Sequence, residues 1–511
     1  MSDESIARTT GTPYLDVASA HVGQIQGVAD EHMPVIHKLL KIWRDKYPRN
    51  LIRTGYYDAR EAFKDFRISI PDTIKTRVAP MIGWPAKAVR SLADLSVLDG
   101  LSIPGQDTHG LQDMFDANRL DVDIPQCIVS CYIHSCSFMT VSTDPENPER
   151  ILFTPRSADW SAAIWNRARR RIDSALTITM NDDEGRVQGF DVWLPGCIYR
   201  CQHIGRVWQA ERWDTYLDEC TVVPFIYDPQ INRPFGRSRI NRTVMNLTDI
   251  GFRTVVRMEA SAEFYSVPKL WFLGADRDAF SADTWSSLIS AINAISKDED
   301  GEKPTLQQVT QATMTPHSDM LKTVAMLAAS EMSVPVDEMG ITLDNPTSAE
   351  AMAAAERKLT RIADRQNRIF TRNIRDMLSL GVRLREHLTI TPDDMLDVRP
   401  IWQPTREVSI SSRADAFSKI ASVQPAFANS EAGWRYAGFS QDDITLIMDA
   451  IRQQDARSTL DKALALGGET GDQQTAGGQS DLSSDEHNSS SETGTGPDMD
   501  GTGRVDTQPT A

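Results

Sequence analysis

Residues 318–359 read SDMLKTVAMLAASEMSVPVDEMGITLDNPTSAEAMAAAERKL, and the order of textures in this stretch decides the kind of chain. Pro316 and Pro335 bracket a helix in which Met320, Leu321, Val324, Ala325, Met326, Leu327, Ala328, Ala329 and Met332 are apolar nearly all round, so neighbours should bury it. A short loop follows with Asp337, Glu338 and Asp344 and no basic residue. A second helix then opens at a rigid corner. Asn345 with Pro346 at the first helical position is one start, and Thr347 with Glu350 as a capping box is the other. Its first turns are bare of bulk, Ala353 and Ala354 among them, before an apolar stripe of Leu359, Ile362, Ile369, Met377 and Leu378. Gly381 is the expected stop, giving ~50 Å of helix. Arg357, Lys358, Arg361, Arg365, Arg368, Arg372 and Arg375 make its remainder basic.

Upstream, a long amphipathic helix is expected from Ser238, a plausible N-cap, to Tyr265. Ile240, Val244, Leu247, Gly251, Val255, Met258, Ala262 and Tyr265 recur at spacings of mostly three and four. Between the two helices, 267–315 holds a β-like PKLWFLG, a helical TWSSLISAINAI and a charged turn KDEDGEK, which together read as a compact insert. Before them, 145–230 is a succession of β-prone runs (RILFTP, ALTITM, GFDVWLP, RVWQAERW, CTVVPFIY) with turn signals such as NDDEG, a mixed and mainly antiparallel sheet region. Residues 1–110 read as mainly helical, with Val35, Leu39, Ile42 and Trp43 on one face. A further helical region is expected from 386 to about 465. From 467 onward, Gly, Ser, Thr, Asp and Gln without periodicity read as disordered.

With 511 residues, the chain has material for two to four domains, and its 40% hydrophobic and 24% charged content is ordinary for globular proteins. The formal charge of −17 argues against tight DNA binding through phosphate neutralisation. Residues 467–511 hold nine acidic residues against one arginine, so −8 of the −17 is local. No secretory leader is visible, and 124–143 is uncharged but carries Pro125, Gln126, His134 and several Ser and Thr. That stretch reads as a buried helix running into a strand, not a membrane span, and the chain is expected to be soluble and cytosolic when made.

Cys127 and Cys131 are four apart, as are Cys197 and Cys201, with Cys136 and Cys220 alone and no C-x-x-C pair. Buried thiols in a reducing compartment fit this better than zinc, and no cofactor or metal is expected. GQDTHG at 105–110 lacks the lysine of a phosphate loop, and there is no H-E-x-x-H, G-x-S-x-G or dinucleotide glycine fingerprint. The balance tilts towards a structural or binding role. Arg167, Arg169, Arg170 and Arg171, beside Trp165, read as a solvated strand edge or subunit contact before a nucleic-acid patch. The basic helix face could touch DNA phosphates or pair with acidic residues of an adjoining subunit.

The series of sheet region, long helix, insert, short apolar helix, loop and long helix resembles the portal proteins of tailed double-stranded-DNA phages, in the branch typical of siphophages. VVPFIYDPQINRPFGRSRI (222–240) looks like that family's segment leading into the first stem helix, and 318–359 like its second stem helix, tunnel loop and long kinked helix. GYYDAR (55–60) and WPAKAVRSLADLSVLDGL (84–101) look like its N-terminal wing. The resemblance covers about residues 35–400.

It implies an α+β portal fold: wing 1–238, stem helix 239–266, clip 267–316, second stem helix 317–334, tunnel loop 335–346, long kinked wing helix 347–385, helical crown 386–466 and acidic tail 467–511. It implies no catalysis, but a ring, usually of twelve subunits, at one capsid vertex. Double-stranded DNA would pass through it without sequence specificity, and the large terminase subunit, head–tail connectors, capsid and scaffolding proteins would dock, with no membrane involved. The tunnel loop would present Asp337, Glu338, Thr342, Asp344 and Asn345 to the DNA, where like charge keeps a duplex mobile. The clip edge would carry Lys297, Asp298, Glu299, Asp300 and Lys303 towards terminase or connector. Ile240, Val244, Leu247, Met320, Leu321, Val324, Ala353 and Ala354 would face neighbouring subunits. Another connector or capsid oligomer, or a DNA-processing enzyme such as a nuclease, are the alternatives.

Overall fold

The computed structural model describes residues 15–60, 82–265, 270–273, 305–308, 313–340, 349–406 and 410–468. The expected clip edge (Lys297, Asp298, Glu299, Asp300, Lys303), the loop residues Thr342, Asp344 and Asn345, and the acidic tail beyond 468 lie outside the described residues.

The first half of the described chain is layered. Helix α1 (Met33–Tyr57) covers one face of a six-stranded sheet ordered β1-β9-β8-β7-β6-β5. Strands β5 (Ser161–Asn166), β6 (Arg171–Asn181), β7 (Val187–Leu194), β8 (Cys197–Ile204) and β9 (Val207–Asp214) run antiparallel, and β1 (Ile25–Gln26) adds parallel to β9. The other face of this sheet meets a three-stranded antiparallel sheet, β10-β3-β4, made of β3 (Cys136–Thr143), β4 (Ile151–Ser157) and β10 (Val222–Ile226).

Period two explains the layering, because successive side chains leave a strand on opposite faces. In β7, Phe190, Val192 and Leu194 join Leu39, Trp43 and Tyr47 of α1, while Trp193 points the other way. In β10, Val222 and Ile226 enter the inter-sheet layer, while Val223 and Phe225 join the helical core behind. That core is built by α2 (Trp84–Ala93), α3 (Leu111–Ala117), α4 (Leu120–His134) and the long α7 (Ala349–Arg385). The 124–143 stretch is α4 running into β3, as its sequence implied, and among the described residues no helix is long and apolar enough to cross a membrane.

All six cysteines are buried and free. Cys127 and Cys131 are helical, but Cys197 and Cys201 share a strand face with Tyr199 instead of a helix face. Among the described residues no group of three or more His, Cys, Asp or Glu is placed to hold a metal ion.

Two further helices are α5 (Arg242–Tyr265) and α6 (Thr315–Met332). They run antiparallel: Asn241 Nδ2 donates to Glu331 Oε1 at 3.0 Å at one end, and Ser261 meets His317 at 3.3 Å towards the other. The insert between them begins with β11 (Leu270–Leu273) and returns through β12 (Thr305–Gln308), an antiparallel pair. After α7, a 3-10 turn at Asp393–Leu396 leads into β13 (Arg399–Trp402), which pairs with β2 (Leu98–Ser102). Helices α8 (Ile410–Val423), α9 (Pro425–Ala428), α10 (Glu431–Ala437) and α11 (Gln441–Gly468) follow.

Two local expectations fail for the same reason, competition from packing. Gly381 does not stop α7, which continues to Arg385. A Cβ at 381 would lie 2.8 Å from Phe153 Cζ and 3.0 Å from Met114 Sδ, so glycine is there to let the helix close on β4 and α3. Ser238 is not the cap of α5. It is buried, donating to the Ile133 carbonyl at 2.5 Å and accepting from the Ile240 amide at 2.9 Å. Asn241 caps instead, its Oδ1 accepting from the Val244 amide at 2.9 Å.

Candidate functional site

The segment RPFGRSRI (233–240) fixes the place where α5 leaves the sheet region. Phe235 packs edge-on against Phe138 and Trp165, 6.2 and 5.8 Å between ring centres. Gly236 has φ +64, and a Cβ there would run into the Tyr227 carbonyl, so only glycine makes this turn. Arg237 Nε then donates to Asp228 Oδ2 at 2.9 Å.

Arg239 is the centre of the junction, and sequence reasoning passed over it. It is 7% exposed. Its guanidinium donates to the carbonyl of Ala88 in α2, to the Met332 carbonyl at the end of α6 (2.7 Å) and to the Tyr227 hydroxyl (3.2 Å). A buried cation needs such partners, and carbonyls at a helix C-terminus are favourable ones. One side chain thereby ties α2, the β10 exit and both stem helices together.

Around it, Ala88, Val244, Ala328, Met332 and Val334 form a small core, with Trp84, Leu247 and Met339 packed on its edge. Gly251 of α5 lets the Trp84 indole approach, since a Cβ there would lie 2.6 Å from the ring. This core corrects the expected subunit-facing set. Val244 (2% exposed) is covered in this core and Leu247 is half-buried on its edge, Ile240 (0%) is covered by the larger helical core, and Val324 (7%) is buried within the chain. Leu321 is half-buried in a cleft of about 440 Å³ with Trp84, Val255 and Met258. Nor is α6 buried all round. Met320, Met326 and Leu327 stay exposed at 40%, 41% and 56%. Ala353 and Ala354 fall within α7, but their side chains are not among those described.

The loop after α6 starts with Ser333 in the left-handed region and a 3-10 turn at Asp337–Met339, closed by Gly340 at φ +77. Its acids do different things. Asp337 is exposed, whereas Glu338 Oε2 accepts from Ser91 Oγ of α2 at 2.5 Å, and Met339 packs beside it. Glu338 therefore ties the loop to α2.

Elsewhere, Arg167, Arg169 and Arg170 sit on the solvated turn between β5 and β6. Arg171 pairs with Glu219, which Arg383 of α7 also holds, so this part of the basic cluster is structural. His109 places Nδ1 2.8 Å from Glu386 and Nε2 3.0 Å from Asp394. Burial acts against its charge, but those two carboxylates outweigh it and raise the imidazole above its ordinary range.

The junction thus joins two antiparallel helices to α2, with Met320 and Leu327 exposed on one side of α6 and Asp337 exposed in the loop. The family model for phage portal proteins of the SPP1 Gp6-like type matches residues 36–426. The chain belongs to the phage portal protein family. A portal protein of Mycobacterium phage D29 is 24% identical over 395 residues, 75% of this chain and 81% of that one. Its counterpart from Mycobacterium phage L5 is 25% identical over 386 residues, 72% and 77% of the two chains.

Among solved structures, the chain is similar to one in the virion of a native gene transfer agent particle (TM-score 0.40, 13% identity, 67% of this chain and 86% of that one). It is similar also to one in the neck of the native particle with C12 symmetry (TM-score 0.39, 13% identity, 70% and 89%). Portal membership makes this a structural, non-enzymatic virion component that works as an oligomeric ring in DNA packaging.

Proposed function

We propose that twelve copies close into a ring at one capsid vertex, with double-stranded DNA entering and leaving along its axis. The family match across 36–426 carries this reading. The antiparallel helix pair supports it, since Met320 and Leu327, which share one side of α6, are exposed and have no cover within the chain among the described residues. In the ring this face, not Ile240, Val244 or Val324, would meet the neighbouring subunit. The insert opened by β11 and closed by β12 would be the clip, where the large terminase subunit docks during packaging and a head–tail connector afterwards. The 335–346 loop would line the duct, with Asp337, Thr342, Asp344 and Asn345 towards DNA and Glu338 holding the loop to the wing. Assembly would take place in the host cytoplasm, with capsid and scaffolding proteins around the ring. Weighing the purified full-length chain by mass photometry tests this. Particles near twelve times 57.0 kDa are expected, and monomers alone, with scaffold present or absent, would refute it.

A further inference from the structure

A cyclic ring joins one face of each subunit to a different face of the next, so the two faces must be complementary and must point in opposite directions. One layer of this wing meets both requirements. On α7, Arg357, Arg361 and Arg368 are exposed, and none has an ion pair among the described residues. Arg365 and Arg372 extend the row but are partly neutralised by Asp228 (3.5 Å) and Asp376 (3.9 Å). The opposite side of α7 closes on α3, where Gly381 meets Met114. Arg372 and Gly381 are nine residues apart, and at about 100° per residue they point in opposite directions.

Helix α3 repeats the geometry. Met114 faces α7, and Asp116, two positions on, points about 200° away from it. Asp113, Asp116 and, at the start of α4, Asp121 are exposed and have no ion pair among the described residues. Each surface has minor countercharges, Asp364 and Asp376 on the basic side and Arg119 and Arg150 on the acidic side. Asp113, one position from Met114, lies on the flank beside Gly110, where Arg385 of α7 also reaches, so the layer presents arginines outward at α7 and, away from it, Asp116 of α3 with Asp121 beside it in sequence at the start of α4.

We propose that the α7 arginine row of one copy docks against the α3–α4 aspartates of the next, setting the handedness and register of the ring. The inference rests on the ring reading. Single exposed ion pairs contribute little, but several in one register reject misaligned neighbours through like-charge contact.

The test is a charge swap in the full-length chain. One variant carries Arg357→Glu, Arg361→Glu and Arg368→Glu. A second carries Asp116→Lys and Asp121→Lys, and a third carries all five. Circular dichroism and thermal melting verify the fold of each. In mass photometry, the first two should lose the closed ring by about tenfold or more, and the third should recover it. Wild-type rings should also dissociate with rising salt. Intact rings in both single-side variants, or no recovery in the third, would overturn the pairing while leaving the ring. Intact rings that lose duplex-DNA retention only in the arginine variant would also overturn it, marking the row as a DNA surface. Absence of rings in the wild type would instead refute the underlying ring reading.

Discussion

Arg239 Nη2 donates to the Met332 carbonyl at 2.7 Å, joining residues 93 positions apart across the mouth of the stem. The same guanidinium serves Ala88 and Tyr227, so its loss removes three hydrogen bonds and takes the side-chain donor from the Met332 carbonyl at the end of α6. Arg239→Leu should lower unfolding stability by about 2–3 kcal/mol. Chemical denaturation reads this. A loss under 0.5 kcal/mol, roughly that of a surface substitution, would show the junction is held elsewhere.

Two glycines make contrasting predictions. At Gly236 a methyl would collide with a backbone carbonyl, and φ is positive, so Gly236→Ala should be severely destabilising or insoluble. At Gly381 the obstacles are the ends of the Phe153 and Met114 side chains, which can move. Gly381→Ala should cost about 1–3 kcal/mol and leave the fold intact. Equal effects in a thermal melt would contradict this assignment.

Much of this was legible in the sequence. The helix–insert–helix–loop–helix order followed from apolar spacing and from Pro316 and Pro335, which act locally. Gly381 was misread because a local rule, glycine as helix stop, met a tertiary demand for close approach. Arg239 was invisible because its partners at 88, 227 and 332 come together only in the fold. The β2–β13 pairing was missed for the same reason, its strands lying some three hundred positions apart. Periodicity gave Ile240 and Val244 their buried side but could not say whose atoms would cover them.

His109 bridges Glu386 and Asp394, and a neutral imidazole has only one N–H to donate. Its raised pKa means the clamp's stability is fully present below the ordinary histidine value and is lost as pH rises through the folded value. His109→Gln should flatten that part of the stability–pH profile, above the ordinary histidine value. An unchanged profile would remove His109 from the account.

Burial raises the thiols of Cys127, Cys136 and Cys201 to about 12, so the reactive thiolate is scarce at neutral pH. With all six cysteines buried, alkylation of the native protein should be slow and should accelerate sharply on denaturation. Fast native labelling at any of them would contradict the described packing.

The loop acids should divide by role. Asp337→Lys should slow DNA throughput in a packaging assay while rings still form, because it puts an attractive charge towards the phosphates. Glu338→Gln should instead loosen the loop from Ser91, visible as faster amide exchange at 336–340. Unchanged packaging by Asp337→Lys would remove the low-friction role.

The central claim is that this chain works as a ring with an open axis. Two-dimensional class averages of the purified full-length protein by electron microscopy test it most directly. The account predicts rotationally symmetric rings with a central bore wide enough for duplex DNA and with stem helix pairs around it. Compact single copies or closed dimers, or a ring whose bore is too narrow for duplex DNA, would contradict it.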